Sequence, residues 1–139
     1  MGRKILGVLA GIITGFVLVF IIEGIGHSFY PVPPDLDMTN MEAMKEYVKT
    51  IPTGALLFVM AAWTIAAFGG GVVAVMIAKD KPVLLAAIVG AVILLASAIN
   101  LIMIPHPVWF SVSAVILILA ATYMAGMVGK CKIVKAPQA

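Results

Sequence analysis

Long apolar runs separated by short polar stretches make up most of the chain. Four runs are each long enough to cross about 30 Å of hydrocarbon: residues 5–25, 55–78, 82–104 and 108–128. The first is expected to be a retained helix rather than a cleaved signal peptide, because no small-x-small cleavage site follows it. The pattern predicts an all-α fold, a four-helix transmembrane bundle that forms a single domain over residues 1–139.

The long polar connection at residues 26–54 has two parts. Residues 30–37 contain three prolines within four positions, which is incompatible with regular helix. Residues 39–51 are predicted to form a short amphipathic helix, because apolar side chains recur at three- and four-residue spacing. Thr39 and Glu42 have the spacing of a capping box at its start. We expect this helix to lie at the membrane surface over the bundle, or to bind a partner.

The composition excludes a soluble globular protein. The chain is 63% hydrophobic and 11% charged, and its mean hydropathy is +1.19, whereas soluble domains are about half apolar and about a quarter charged. Intrinsic disorder is excluded by the same numbers, because disordered chains are poor in apolar residues. A single cysteine excludes an intrachain disulfide.

Charge predicts the orientation in the membrane. The two chain ends and the turn at residues 79–81 hold seven Lys or Arg and one Asp, a net charge of +6, whereas Glu23 and the 26–54 loop hold a net charge of −3. The positive-inside rule therefore predicts a multi-pass inner-membrane protein with cytoplasmic N- and C-termini and an outward 26–54 loop. The basic residues are expected to lie beside anionic lipid, and no nucleic-acid partner is expected.

Small residues recur on one stripe of several helices. Gly7, Gly11 and Gly15 are spaced by four in the first run, and Gly70 lies in a similar stripe of the second. Such stripes let helix backbones approach closely within lipid. We expect them to pack helices within the bundle, with homo-oligomer contact as the alternative.

Polar side chains gather at the predicted outer end of the bundle. Glu23 and His27 share one face if the first helix continues through both. Imidazole and carboxylate groups suit a divalent transition metal such as zinc or copper. The alternative is a structural cluster, in which Glu23 and His27 form an ion pair and His106 caps a helix. The candidate metal ligands are Glu23, His27, His106, Asp35 and Asp37, and the supporting residues are Asn100, Tyr30 and Trp109.

Two strings of residues carry a family resemblance. The first contains Glu23-x-x-x-His27 followed by Tyr30-Pro-x-Pro33, and the second is Pro-His-Pro-Val-Trp-Phe at residues 105–110. Together they resemble a pattern in small four-helix bacterial integral membrane proteins. That family has no assigned activity, so the resemblance implies a bacterial four-helix topology and no substrate.

Three functions remain open at this point. The first is binding of a metal ion or small polar ligand at the outer face. The second is a non-catalytic accessory subunit of a larger membrane complex, contacting it through the Gly7 stripe and the outer helix. The third is an interfacial enzyme acting on a lipid or amphiphile, with His27 or His106 as general base and a lateral opening near Glu23. A non-enzymatic role is favoured, and no catalytic residue is assigned.

Overall fold

The computed structural model of the protein describes residues 2–135, which form an all-α bundle. Its helices are α1 (Gly2–Phe29), α2 (Met41–Thr50), α3 (Thr53–Ala78), α4 (Pro82–Met103) and α5 (Val108–Lys135). All except α2 are long and apolar enough to cross a membrane. The predicted four-helix transmembrane bundle is confirmed, and the chain is a small multi-pass membrane protein.

Two of the long helices extend beyond their apolar runs. α1 continues past residue 25 to Phe29, and the amide of Tyr30 still donates to the Gly26 carbonyl at 2.9 Å. The helix ends there because Pro31 disfavours helical geometry in the residue before it. α5 likewise continues past residue 128 to Lys135. The extra turn of α1 matters most, because it places Glu23 and His27 on one continuous helix.

The predicted capping box of α2 is wrong. The side chain of Asn40 caps the helix, accepting hydrogen bonds from the amides of Glu42 at 3.0 Å and Ala43 at 3.3 Å. Thr39 lies outside the helix and donates through its hydroxyl to the Asp37 carboxylate at 2.6 Å. α2 therefore begins two residues later than expected, at Met41.

α3 lies at the centre of the bundle. It packs against α1, α4 and α5, whereas α1 contacts α3 and α4 and, within residues 2–135, makes no contact with α5. The core combines small residues of α3, such as Ala62 and Ala66, with Trp63, Ile93 and Phe110. Large apolar side chains cover the outside of the bundle, as expected for helices that face lipid.

The glycine stripe of α1 is buried against α3. A Cβ added to Gly7 would lie 2.6 Å from the Ala74 carbonyl oxygen, and one added to Gly11 would lie 2.5 Å from the Gly70 carbonyl oxygen. The two backbones are therefore in contact, which only glycine permits. Because α3 covers this stripe, it is not free to contact a partner protein.

Polar contacts stabilise the end of the bundle away from α2, where α1 begins and α3 ends. Lys4 of α1 forms an ion pair with Asp80 at 2.5 Å, and Arg3 donates to the Ile77 carbonyl at 3.1 Å. Asp80 lies between Lys79 and Lys81, which both have left-handed backbones, with φ of 54° and 38°. This turn reverses the chain between α3 and α4.

Candidate functional site

The end of the bundle that carries α2, here called the α2 end, contains a cavity of about 260 Å³. This α2 cavity lies between α2 and the adjoining ends of α1, α3 and α4. Most of its wall is apolar, with contributions such as Val48, Leu56 and Ile104. Its polar or titratable lining residues are Glu23, His27, Tyr30, Tyr47, Asn100 and His106.

A second space of about 170 Å³, here called the α1–α4 groove, runs between those two helices. Trp63 of α3 lines it, and Ser97 of α4 directs its hydroxyl to the Ile93 carbonyl at 2.9 Å. The groove is therefore largely apolar away from its polar end. Its lining residues are Phe16, Val19, Glu23, Trp63, Ile93, Ala96, Ser97 and Asn100.

Glu23 and Asn100 line both spaces. The α2 cavity and the α1–α4 groove therefore adjoin at these two polar side chains. From Glu23 the groove follows α1 back to Phe16, seven residues or about 10 Å of helix. Taken together, the two spaces are polar at the α2 end and apolar towards the middle of the bundle.

Glu23 and His27 are one helical turn apart on α1 but do not form the ion pair that a purely structural cluster would contain. Within the described part of the chain, no carboxylate oxygen of Glu23 lies within 4.0 Å of a His27 ring nitrogen. Glu23 is half-buried, whereas His27 is exposed. Both side chains line the cavity instead.

His106 is held in one tautomer. Its Nδ1 lies 2.7 Å from the Ile104 carbonyl oxygen, and because a carbonyl only accepts, Nδ1 carries the proton. Nε2 of the neutral ring is then a hydrogen-bond acceptor. The ring also stacks on Phe110, with 4.8 Å between ring centres. Burial lowers the pKa of His106 below its ordinary 6.5, with the carbonyl bond partly opposing, so the imidazole is neutral at pH 7.

Three predicted site residues lie away from the α2 cavity. The Asp37 carboxylate accepts a hydrogen bond from the Thr39 amide at 2.9 Å. Asp35 is exposed in the same loop. Trp109 is exposed and packs edge-on against Phe110. Neither aspartate nor Trp109 is among the residues that line the cavity. The structure thus divides the predicted set, bringing together Glu23, His27, Tyr30, Asn100 and His106.

The geometry does not assemble a multi-ligand metal centre. Across residues 2–135, no group of three or more His, Cys, Asp and Glu side chains is placed to hold a metal ion. Structural zinc sites use four protein ligands and catalytic ones use three. The polar side chains around the cavity can donate and accept hydrogen bonds.

Sequence reasoning missed two parts of this site. Tyr47 was recognisable only as part of the apolar face of α2, and Phe58 of α3 carried no signal at all. Trp63 of α3 is 4% exposed. Its contact with the α1–α4 groove depends on which helices are neighbours, which the sequence does not state.

Comparison of the chain with protein-family models, with curated proteins and with solved structures finds no match. The resemblance to small four-helix bacterial membrane proteins therefore stays a prediction. Functional conclusions rest on the geometry of the α2 cavity and the α1–α4 groove.

Proposed function

We propose that this protein binds a small amphiphile, with the polar head in the α2 cavity and the apolar chain in the α1–α4 groove. The observation that carries the proposal is that Glu23 and Asn100 line both spaces. A ligand that fills both must be polar where they meet and apolar beyond, towards Phe16 and Ile93. The proposed site joins two expectations from the sequence: a small polar ligand at the outer face and a lateral opening near Glu23.

The position of the groove supports entry from the side. Phe16 lines the groove and is also 46% exposed on the surface that faces lipid. Ala96 of α4 is small, so it leaves space where a larger side chain would close the groove. An acyl or alkyl chain can therefore move from the bilayer into the groove without crossing water, which removes the main cost of transferring it.

α2 supports the same proposal by covering the head. Met44, Tyr47 and Val48 lie on the cavity side of this helix, and Val48 is only 6% exposed. The opposite side carries ion pairs of Lys45 with Glu42 and of Lys49 with Glu46. This division gives α2 an apolar face over the cavity and a charged face on the opposite side.

The proposed orientation places the α2 end on the outer side of a bacterial inner membrane, with the N- and C-termini in the cytoplasm. Its support is the charge distribution, with the basic turn at residues 79–81 and the basic chain ends together at the other end. Lys and Arg are favoured on the cytoplasmic side. A ligand would then reach the cavity from the outer leaflet.

Trp63 provides a direct test, because it lines the groove but is almost inaccessible to bulk lipid. A Trp109→Phe variant keeps Trp63 as its only tryptophan. Phosphatidylcholine vesicles containing this variant would be titrated with ω-bromododecanol, whose bromine quenches a neighbouring indole. We expect quenching that saturates at a low mole fraction and is reversed by unbrominated dodecanol.

A matched pair of α4 variants controls this experiment. Ala96→Phe fills the groove, whereas Ala91→Phe places the same ring on an exposed position of the same helix. Ala96→Phe should remove the saturable quenching and Ala91→Phe should retain it. Quenching that rises linearly with mole fraction and is equal in both variants would contradict the proposal.

A further inference from the structure

Aromatic rings surround the polar part of the α2 cavity. Tyr30 follows α1, Tyr47 lies on α2 and Phe58 lies on α3, and all three line the cavity together with Glu23. The rings of Tyr30 and Phe58 are already in contact, edge to face, with centres 6.2 Å apart. Aromatic faces attract cations, most strongly where water is excluded.

The charged side chains around the cavity also favour a cationic ligand. No Lys or Arg is present among the described residues that line it. The two lysines of α2, Lys45 and Lys49, are paired with glutamates on the exposed side of that helix. His106 adds no positive charge, since burial lowers its pKa below the ordinary 6.5. Glu23 is the only carboxylate among the described residues that line the cavity, and it lies one helical turn from His27, which is exposed.

We infer that the ligand head is a cationic ammonium group, held by the Glu23 carboxylate and the rings of Tyr30, Tyr47 and Phe58. This inference rests on the proposed binding of an amphiphile and names the class of its head. An anionic head would be repelled by Glu23 in a half-buried site, where charges interact more strongly than in water. A neutral head gains hydrogen bonds but neither the charge attraction nor the cation–π contact.

Acceptors around the cavity complete the fit. The Asn100 side-chain oxygen and Nε2 of neutral His106 can accept hydrogen bonds. A primary ammonium group has three N–H donors for such acceptors, and a quaternary one has methyl groups for the aromatic rings. Both are ammonium heads, and both are included in the test.

The test is displacement of the ω-bromododecanol reporter from the Trp109→Phe protein in uncharged phosphatidylcholine vesicles. The competitors share one chain and differ in their heads: dodecylammonium, dodecyltrimethylammonium, dodecanol and dodecyl phosphate. We expect at least one ammonium competitor to restore Trp63 fluorescence at about tenfold lower mole fraction than dodecanol. Dodecyl phosphate should be the weakest.

Charge and ring variants connect this preference to the cavity. Glu23→Gln keeps the shape of the side chain and removes its charge, so the preference for ammonium over dodecanol should disappear while dodecanol still displaces the reporter. Glu42→Gln is the matched control, because Glu42 is exposed on α2 and pairs with Lys45 outside the cavity. Tyr47→Leu tests the rings separately and should reduce the preference several-fold.

The outcomes separate the inference from the proposal beneath it. If dodecanol and the ammonium competitors displace the reporter equally, or if dodecyl phosphate is the strongest, the cationic head is overturned and amphiphile binding stands. An ammonium preference that survives both Glu23→Gln and Tyr47→Leu would also overturn it. If the reporter never gives saturable quenching, both the cationic head and amphiphile binding itself are contradicted.

Discussion

Gly11 of α1 and Gly70 of α3 contact each other backbone to backbone: a Cβ added to either residue would lie 2.5 Å from the carbonyl oxygen of the other. This contact fixes α1 tightly against α3. α1 carries Glu23 and one wall of the α1–α4 groove, so the same contact sets the position of the candidate site.

Substituting Gly11 with alanine should therefore destabilise the bundle. The added methyl group has no room beside the Gly70 carbonyl, and such overpacking costs about 1–3 kcal/mol of unfolding free energy. Gly24→Ala in the same helix is the matched control, because nothing lies within 4 Å of its added Cβ, and alanine favours helix. Thermal unfolding in mild detergent should show a lower midpoint for Gly11→Ala only, and equal midpoints would contradict the close contact.

The Asn40 cap should control the order of α2. Asn40→Ala removes the side chain that accepts from the Glu42 and Ala43 amides, a loss of about 1 kcal/mol. Hydrogen exchange should then become faster in α2 and stay unchanged in α3, whereas Asn40→Asp should behave like wild type. If Thr39→Ala accelerated exchange in α2 and Asn40→Ala did not, the assigned cap would be wrong.

Stability should fall in mild acid because of His106. Burial lowers its pKa in the folded protein below the ordinary value of 6.5, so the unfolded chain binds more protons between the two values. The contribution of neutral His106 to unfolding free energy is therefore complete above about pH 6.5 and is lost progressively below it. The unfolding midpoint should therefore decrease as the pH is lowered from about 7.5 to about 5.

Two histidine variants test that assignment. His106→Asn keeps a donor for the Ile104 carbonyl and removes the titration, so its midpoints should vary less with pH. His27→Asn alters an exposed side chain and should keep the wild-type dependence. A wild-type pH profile in His106→Asn would exclude His106 as the source.

Lys79 should be replaceable with a gain in stability. It ends α3 with φ of 54°, a left-handed conformation that costs an L-residue roughly 1 kcal/mol and glycine almost nothing. Lys79→Gly should therefore raise the unfolding midpoint, while Lys79→Ala, which keeps the Cβ, should not. An equal gain in both variants would assign the effect to removal of positive charge instead.

The membrane-spanning part of the fold was predictable because hydrocarbon thickness sets helix length. Hydropathy placed α3 and α4 within two residues of their observed ends. It missed the last turn of α1, because His27 and Ser28 are polar although the backbone stays helical until Pro31 interrupts it. The cap of α2 was misassigned because Thr39 and Asn40 are both good caps, and only the observed hydrogen bonds decide between them.

The candidate site was predictable only in part. Asn100 was expected to support a site at Glu23, and both residues line the same cavity. Asp35 was predicted as a ligand, but it lies in a proline-rich loop whose direction cannot be read from periodicity, and it does not line the cavity. The groove beside Ala96 could not be predicted, because it depends on α4 rather than α5 lying next to α1.

The most direct test of amphiphile binding uses protein extracted from the membrane in which it is made, with the lipids it carries. Native mass spectrometry would compare wild type, Ala96→Phe and Ala91→Phe after extraction in mild detergent with no amphiphile added. We expect a small adduct on wild type and Ala91→Phe that is absent from Ala96→Phe, with a mass that identifies an ammonium-bearing chain. The same adducts on all three proteins, or no adduct on any of them, would contradict amphiphile binding in the groove.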